Sequence, residues 1–533
     1  MNAITPYPYD ASARSGEKPD MWVQEEIFGH RFIEEQKPYM LVLEVLSVCG
    51  SVLRHDEELL FAHGFVDETQ SETVVTSIAK RGPLRYLLFE DTALEQLKIQ
   101  ESLTDDEKLE NLVLELNKGY RARTKRDNAF NYLGQRFRGR FNGLVQAVEI
   151  IRSMEIDIIS SRRWTSRFLA PRGQSALFSD IGLSLSADRR FFGRGGEVMY
   201  LMLSRSKNAI EAAKLIKEQF FSNTDPIGQL LLELDSGVQE LTADAPLGYL
   251  PLVYHEAYDR LANDWIAILG LPTLPPAQKF EPLFRLSAFN LVRYFMERAA
   301  EVSELRDGNG QPVVEPIILD VSGGSLSDLR QRSIGQLRRI RETIDEAVED
   351  YIKSKLSKEP KWKRAIAHED PGIRFNLAVE AIEQTFKTKT LSKEKLSRRS
   401  PEACLSFFVK KATSRSRNNI STLIEPLGKN SGFITARQGA GTWFDASDEF
   451  LEALVVGNTG SEAVTIDAFL AGLYTKYRIV IGPNEASQAF VKRAFDPSSF
   501  EENMRILERR LIGLGYVRRL SDDCAFVSNP YAS

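Results

Sequence analysis

Between Lys118 and Phe141 the chain reads KGYRARTKRDNAFNYLGQRFRGRF, with eight Lys or Arg, a single acid (Asp127) and five aromatic residues. Cations set among flat aromatic rings suit a nucleic acid, whose phosphates take the charge and whose bases stack on the rings. The candidate phosphate ligands here are Arg121, Arg123, Lys125, Arg126, Arg136, Arg138 and Arg140. Arg162 and Arg163 follow in SSRRWTSRF, and Arg398 and Arg399 lie in a second basic run, Lys387 to Arg417. Near the end of the chain stand Arg509, Arg510, Arg518 and Arg519. The competing reading is a solvated helix whose aromatics belong to the core.

Other chemistry is sparse. The sequence contains no GxxxxGK[ST], HExxH or GxSxG, and no GxGxxG on a strand-to-helix turn. The five histidines (His30, His55, His63, His255, His368) show no metal-ligand spacing; His55 and His63, eight apart around Asp56, Glu57 and Glu58, read as an exposed acidic helix face, with a metal site as the alternative. Glu35 and Lys37 form an ExK pair, but Pro38 breaks the strand that a nuclease site would need. Ser322-Gly323-Gly324-Ser325 follows the apolar run ending in Asp320. It reads as strand, glycine turn and helix N-terminus, either an anion cradle or a capped tight turn. No catalytic residue, metal ligand or cofactor is assigned from these patterns.

The elements that must position such residues are helical. At 533 residues the chain is long enough for several domains, and its 43% hydrophobic and 27% charged content is that of a soluble globular protein. Three scattered cysteines (Cys49, Cys404, Cys524) suit a reducing cytoplasm. The longest apolar run, Tyr39 to Leu53, contains Glu44 and is too short for a membrane span, so it is expected to be a buried helix begun by Pro38. The opening 20 residues lack the apolar segment of a signal peptide.

The net charge of −5 conceals blocks of alternating sign. The balance is −13 for residues 1–117, +11 for 118–207, −9 for 208–326, +10 for 327–437 and −4 for 438–533. From these shifts the expected organisation is a flexible arm (1–20), a helical domain carrying the first basic block (21–207), an acidic helical region (208–326), a basic helical region (327–437) and a C-terminal domain (438–533). Alternating blocks fit a polyanion site or complementary protein-facing surfaces.

Thr104 and Glu107 form a capping box for a helix with Leu109, Leu112, Val113 and Leu116 on one face. From Phe130 an apolar stripe runs through Leu133, Phe137, Phe141, Leu144, Val148 and Ile151, leaving Arg136, Arg138 and Arg140 facing solvent. Val198 to Leu203 reads as a strand. Helices are expected over Asn208–Phe221, His255–Leu269, Phe280–Glu304 and from Ser327 to about Leu356. Two short helices, Ser447–Val456 and Thr465–Tyr477, precede a third with a Ser499/Glu502 capping box. The hairpin YVRRL-SDD-CAFV closes the set, and three helices with a hairpin suggest a winged helix. The overall expectation is a mainly α (α+β), multi-domain helical body with a C-terminal winged-helix-like module.

The strings EIFGHRFIEEQKPYMLVLEVLSV, GGEVMYLMLSRS, YRIVIGP and LERRLIGLGYVRRLSDDCAFV resemble proteins of bacterial antiphage defence islands, in particular accessory subunits of methylation-associated systems. That resemblance implies a defence role and partner subunits, and it assigns no functional residue. The functional expectation is a cytoplasmic, non-enzymatic DNA-binding or scaffold subunit of such a complex, with no membrane partner. The alternatives are an effector nuclease with an unrecognised site and a protein–protein adaptor that touches no nucleic acid.

Overall fold

The computed structural model describes residues 20–29, 32, 36–54, 58–60, 75–77, 79–153, 155–156, 168–169, 195–222, 226–237, 240–241, 245–246, 249–303, 305–386, 400–490, 495–521 and 524–532. Helices dominate these residues and strands are two to five residues long, so the chain is mainly α. Among the described residues no helix is long and apolar enough to cross a membrane.

The largest core is assembled around one 27-residue helix. Helices α1 (Asp20–Phe28) and α2 (Pro38–Arg54) come first in the chain, and α2 is buried along nearly its whole length with Pro38 in its first turn. Helix α3 (Asp105–Thr124), α4 (Asn131–Arg136) and α5 (Phe141–Arg152) belong to a second core described below. Then come α6 (Gly195–Ser204), α7 (Pro226–Leu234), α8 (Glu256–Leu269) and α9 (Pro276–Val302), the central element. Helix α9 touches α1, α2 and α8, and also α10 (Ser327–Lys358). Its Leu283, Leu286, Phe289, Val292 and Phe295 are fully buried.

Helices α11 (Pro360–Ala367), α12 (Pro371–Thr385), α13 (Pro401–Ser416) and α14 (Ile424–Ser431) extend this core along α10. Strand β1 (Ile317–Ile318) precedes α10; β2 (Ile434–Arg437) and β3 (Gly441–Phe444) form an antiparallel hairpin after α14.

The C-terminal part runs α15 (Asp448–Asn458), β4 (Val464–Thr465), α16 (Ile466–Tyr477), β5 (Ile479–Val480), α17 (Pro483–Ala489), α18 (Pro497–Gly513), β6 (Val517–Ser521) and β7 (Cys524–Val527). Strand β7 lies between β4 and β6, antiparallel to both. Strand β5 pairs in parallel with β1, which stitches this part to the body. Asn503 of α18 is fully buried and reinforces the seam: its amide donates to Leu319 O (3.0 Å) and Ile481 O (3.1 Å) and its oxygen accepts from Val321 N (3.0 Å).

The second core is smaller and lies apart in the chain. Tyr120, Phe130, Leu133, Phe141, Leu144 and Val148 pack with Tyr86 and with Leu231 and Leu234 of α7. The rings of Tyr86, Tyr120 and Phe130 meet at 5.5–5.9 Å between centroids. Gly119 lets Tyr86 lie against α3, because a Cβ there would sit 2.1 Å from the tyrosine oxygen. The cores do not follow the charge blocks. Residues 21–207 are divided between both cores, and the expected boundary at 437/438 falls inside the β2–β3 hairpin, where Ile434 pairs with Phe444.

Local signals translate directly. The Thr104–Glu107 capping box is formed, with Thr104 Oγ1 accepting from Glu107 N at 3.3 Å and Glu107 accepting from Thr104 N at 2.8 Å. Ser447 and Thr465 cap α15 and α16, and the β6–β7 hairpin forms. Three expectations are corrected. Val198–Leu203 is part of helix α6, not a strand; it is buried all round, so no period distinguishes the two states. Helix α18 begins at Pro497 with Asp496 as its cap, and Ser499 lies inside it, because proline favours the first helical position. The apolar stripe from Phe130 is two helices, not one, broken at Gly139, whose φ of 66° suits glycine.

Candidate nucleic-acid interface

The basic stretch is contiguous in sequence and split in space. Helix α3 ends at Thr124, and α4 then turns back along it, with Asn117 Nδ2 donating to Asn131 Oδ1 at 2.9 Å. By Gly139 the chain has returned to the start of α3, where Gly139 N donates to Asp106 Oδ1 at 2.8 Å. At 1.5 Å per residue, Asp106 and Thr124 are about 27 Å apart. Arg121, Arg123, Lys125 and Arg126 therefore sit at one end of α3, and Arg136, Arg138 and Arg140 at the other.

The aromatics are not offered to bases. Tyr120, Phe130 and Phe141 are buried in the second core, and Phe137 and Tyr132 are half-buried against it. Phe137, expected in the core stripe, lies in the break between α4 and α5 and is partly buried against the second core.

Most of the cations are already engaged. Arg136 is exposed, as expected, but it is engaged within the chain: its Nη1 donates to Leu232 O (3.0 Å), Glu233 O (2.8 Å) and Asp235 O (2.8 Å), the carbonyls at and just past the end of α7. Tyr132 donates to the fourth, Leu234 O, at 2.6 Å, and the Arg136 guanidinium lies 5.1 Å from its ring. Helix C-termini leave such carbonyls without partners, so Arg136 and Tyr132 together dock α7. Arg121 pairs with Asp127 at 3.0 Å, Arg123 lies over the Tyr86 ring at 5.2 Å, and Arg140 donates to Arg136 O at 3.1 Å. Arg126 is exposed.

The C-terminal arginines behave similarly. Arg510 holds Asp448 of α15 at 2.5 Å and donates to Val321 O at 3.0 Å, so it binds α18 to the body. Arg509 pairs with Glu502 at 2.8 Å and Arg519 approaches Glu508 at 3.5 Å. Lys125, Arg138 and Arg518 are exposed, and their side chains have no hydrogen bond or ion pair among the described residues. Arg162, Arg163, Arg398 and Arg399 lie outside the described residues, as do the ExK glutamate Glu35 and the histidines His30, His55 and His63.

One pair of residues was visible only in part from the sequence. Asp320, two residues past β1, bridges in parallel to Asp445, which follows β3. Its Oδ1 accepts from Ser322 N (2.9 Å) and Ser322 Oγ (2.5 Å), while Oδ2 is buried without a hydrogen-bond partner. Asp445 accepts from Ala446 N at 2.8 Å. Burial pushes the Asp445 carboxyl up to about 6, and the neighbouring Asp320 charge adds to the rise, against the pull of Arg510 and Arg437. The strand–glycine turn–helix pattern signalled Asp320. Nothing local signalled Asp445, which reaches it through an isolated bridge between the residues that follow β1 and those that follow β3. Among the described residues no three His, Cys, Asp or Glu are grouped to hold a metal ion.

The Asp445 shift carries a testable sign. A carboxyl raised in the folded state stabilises the fold below its unfolded value near 3.8, and that contribution is lost as pH rises through about 6. Asp445→Asn keeps an oxygen for Ala446 N and cannot ionise. The variant is expected to melt higher than the natural protein at pH 7, by on the order of 2 kcal/mol, with the gap closing by pH 4. Equal melting temperatures at pH 7 would remove this charge from the account.

The comparisons with known proteins add no relative. No protein-family model matches the chain, and none of the curated proteins matches it.

Proposed function

We propose that the chain is a cytoplasmic scaffold subunit of a bacterial antiphage defence complex, which acts by holding partner proteins rather than by gripping DNA along its basic blocks. The defence setting rests on the resemblance of its terminal segments. The scaffold role rests on one observation: among the described residues, Arg121, Arg123, Arg136, Arg509 and Arg510 are occupied by carbonyls, acids and rings of the chain itself. The C-terminal order of helix, strand, helix, strand, helix, helix and hairpin, with β4 beside the hairpin and β5 paired to β1 of the body, supports reading the C-terminal module as winged-helix-like. Its α18 carries Glu501 and Glu502 in the second turn, where they pair with Arg505 and Arg509 and so occupy cations that a phosphate would need.

Each phosphate neutralised steepens the log-affinity against log-salt slope by about 0.7–0.9. Among the described candidate phosphate ligands, Lys125, Arg138 and Arg518 are the unpaired cations, and so few contacts give a shallow slope. Fluorescence anisotropy with single- and double-stranded 30-mers between 50 and 300 mM salt is expected to show weak binding and a slope between about −1 and −3. A slope steeper than about −5 would restore the DNA-binding reading.

A second reading, an effector nuclease, is favoured by the unpartnered Asp320 Oδ2 beside Asp445, since Mg²⁺ is commonly held by one or two carboxylates and water. Mg²⁺-dependent cutting of the same 30-mers, lost in Asp320→Asn, would replace the scaffold proposal with this one.

A further inference from the structure

Among the described residues, a trough along helix α13 is a long surface feature without an assignment. Glu402, Leu405, Val409, Lys410, Thr413 and Arg417 all line it. Their spacings of three, four, one, three and four place them on one face of α13 and the turn after it. Trp362 and Ile366 of α11 form one wall, and Glu349 and Lys353 of α10 the other. The trough encloses about 730 Å³ and continues past Arg417 into a second hollow of about 380 Å³ between α10 and α14. From Glu402 to Arg417 it is about 22 Å long, four helical turns.

Its floor and the α11 wall are apolar and partly exposed. Leu405 and Val409 are half-buried, Trp362 is buried, and Ile366 is 51% exposed. The charges decide between occupants. Lys353 is paired with Glu349 (2.7 Å), Arg417 with Asp345 (2.7 Å), and Arg341 and Lys429 both with Glu425 (2.8 and 2.6 Å). A nucleic acid would have to displace these acids and would meet Glu402 as well. Lys410, also on the trough wall, has no ion pair or hydrogen bond among the described residues. A neutralised rim, an apolar floor and a single open cation are complementary to an amphipathic helix with an acid on its flank.

We infer that this trough docks an amphipathic α-helix of a partner protein, about four turns long, with apolar residues at i, i+3, i+4 and i+7 against Leu405, Val409, Trp362 and Ile366 and an acidic residue against Lys410. The inference deepens the scaffold reading and rests on it for the occupant being a protein. Covering Ile366 removes an exposed aliphatic side chain from water, and the helix completes a four-helix arrangement with α10, α11 and α13.

The test uses the full-length protein and fluorescent 20-residue peptides tiled across the proteins encoded beside it, across this chain itself, and one single-stranded DNA 20-mer. At least one partner peptide with the stated pattern is expected to bind with micromolar Kd. Ser406→Trp, an exposed position that fills the trough, should weaken it at least tenfold. Lys410→Glu should weaken it three- to tenfold and be rescued by changing the peptide acid to Lys. Both variants should melt as the natural protein does, because both positions are on the surface. Binding by no partner peptide, or binding indifferent to both substitutions, overturns the inference. Binding by a peptide of this chain alone would make the trough a self-association site, and Lys410-dependent DNA binding alone would make it a nucleic-acid site; either also overturns it. Co-expression separates the two levels. A chain that purifies with no co-expressed subunit defeats the scaffold reading, whereas one that retains its subunit in Ser406→Trp defeats the trough alone.

Discussion

Glu297→Gln is expected to destabilise the fold by about 3–5 kcal/mol, the largest effect of any single polar change here. Glu297 lies inside the main core between two buried guanidinium groups. Arg260 donates to both its oxygens at 3.0 and 2.8 Å, and Arg293 donates at 2.9 Å. Arg260 and Arg293 are 9% and 2% exposed, so the charge of Glu297 is what permits theirs. Glutamine keeps one acceptor and leaves two buried cations with no counter-charge. The same carboxylate sets an acid limit. Burial alone would raise it, but the charges of Arg260 and Arg293 and the hydrogen bonds from Arg260 hold it down at about 2. A depressed carboxyl stabilises the fold above its ordinary value near 4.5 and loses that contribution as pH falls toward 2. The natural protein should thus lose stability steeply between pH 4.5 and 2, and Glu297→Gln should start lower and fall less. Thermal melts at pH 7, 4 and 3 read both effects. Parallel curves for the two proteins would mean that the pair contributes nothing.

Arg136→Glu is expected to loosen the second core by about 2–4 kcal/mol, unlike the neighbouring Arg138→Glu, which should change melting by less than about 0.5 kcal/mol. The contrast tests whether Arg136 is a cap or a surface charge. Its guanidinium holds three terminal carbonyls of α7 and faces the negative end of that helix dipole. A glutamate would place a negative charge against the same oxygens. Because α7 contributes Leu231 and Leu234 to the second core, undocking it should expose amides across residues 226–234 and 141–152. Hydrogen exchange followed by mass spectrometry would locate the change. Protection equal to that of Arg138→Glu would return Arg136 to the set of free surface cations.

The helices and their ends were legible in the sequence wherever the deciding contacts span three or four residues. Thr104 and Glu107, Ser447 with Phe450, and Thr465 with Ala468 are neighbours by helix geometry, and Pro38 and the β6–β7 hairpin are equally local. A mainly α architecture follows, because its signals are short-range and repeated. Where burial is complete the signal disappears, as in α6, since a segment covered on every side has no polar face to set a period.

The use of each charge was decided only by tertiary structure. Arg136 finds its carbonyls 96 to 99 residues away, Arg510 reaches Val321 O across 189, and Asp320 meets Asp445 through an isolated bridge that no spacing announces. The sequence shows that a cation is present and on which side of a helix it lies. It does not show which acceptor the packing brings within 3 Å, and a charge satisfied inside the chain is no longer available to a ligand. Eight cations in 24 residues therefore looked like one polyanion site, and folding turned them into two patches about 27 Å apart, partly spent on holding the molecule together.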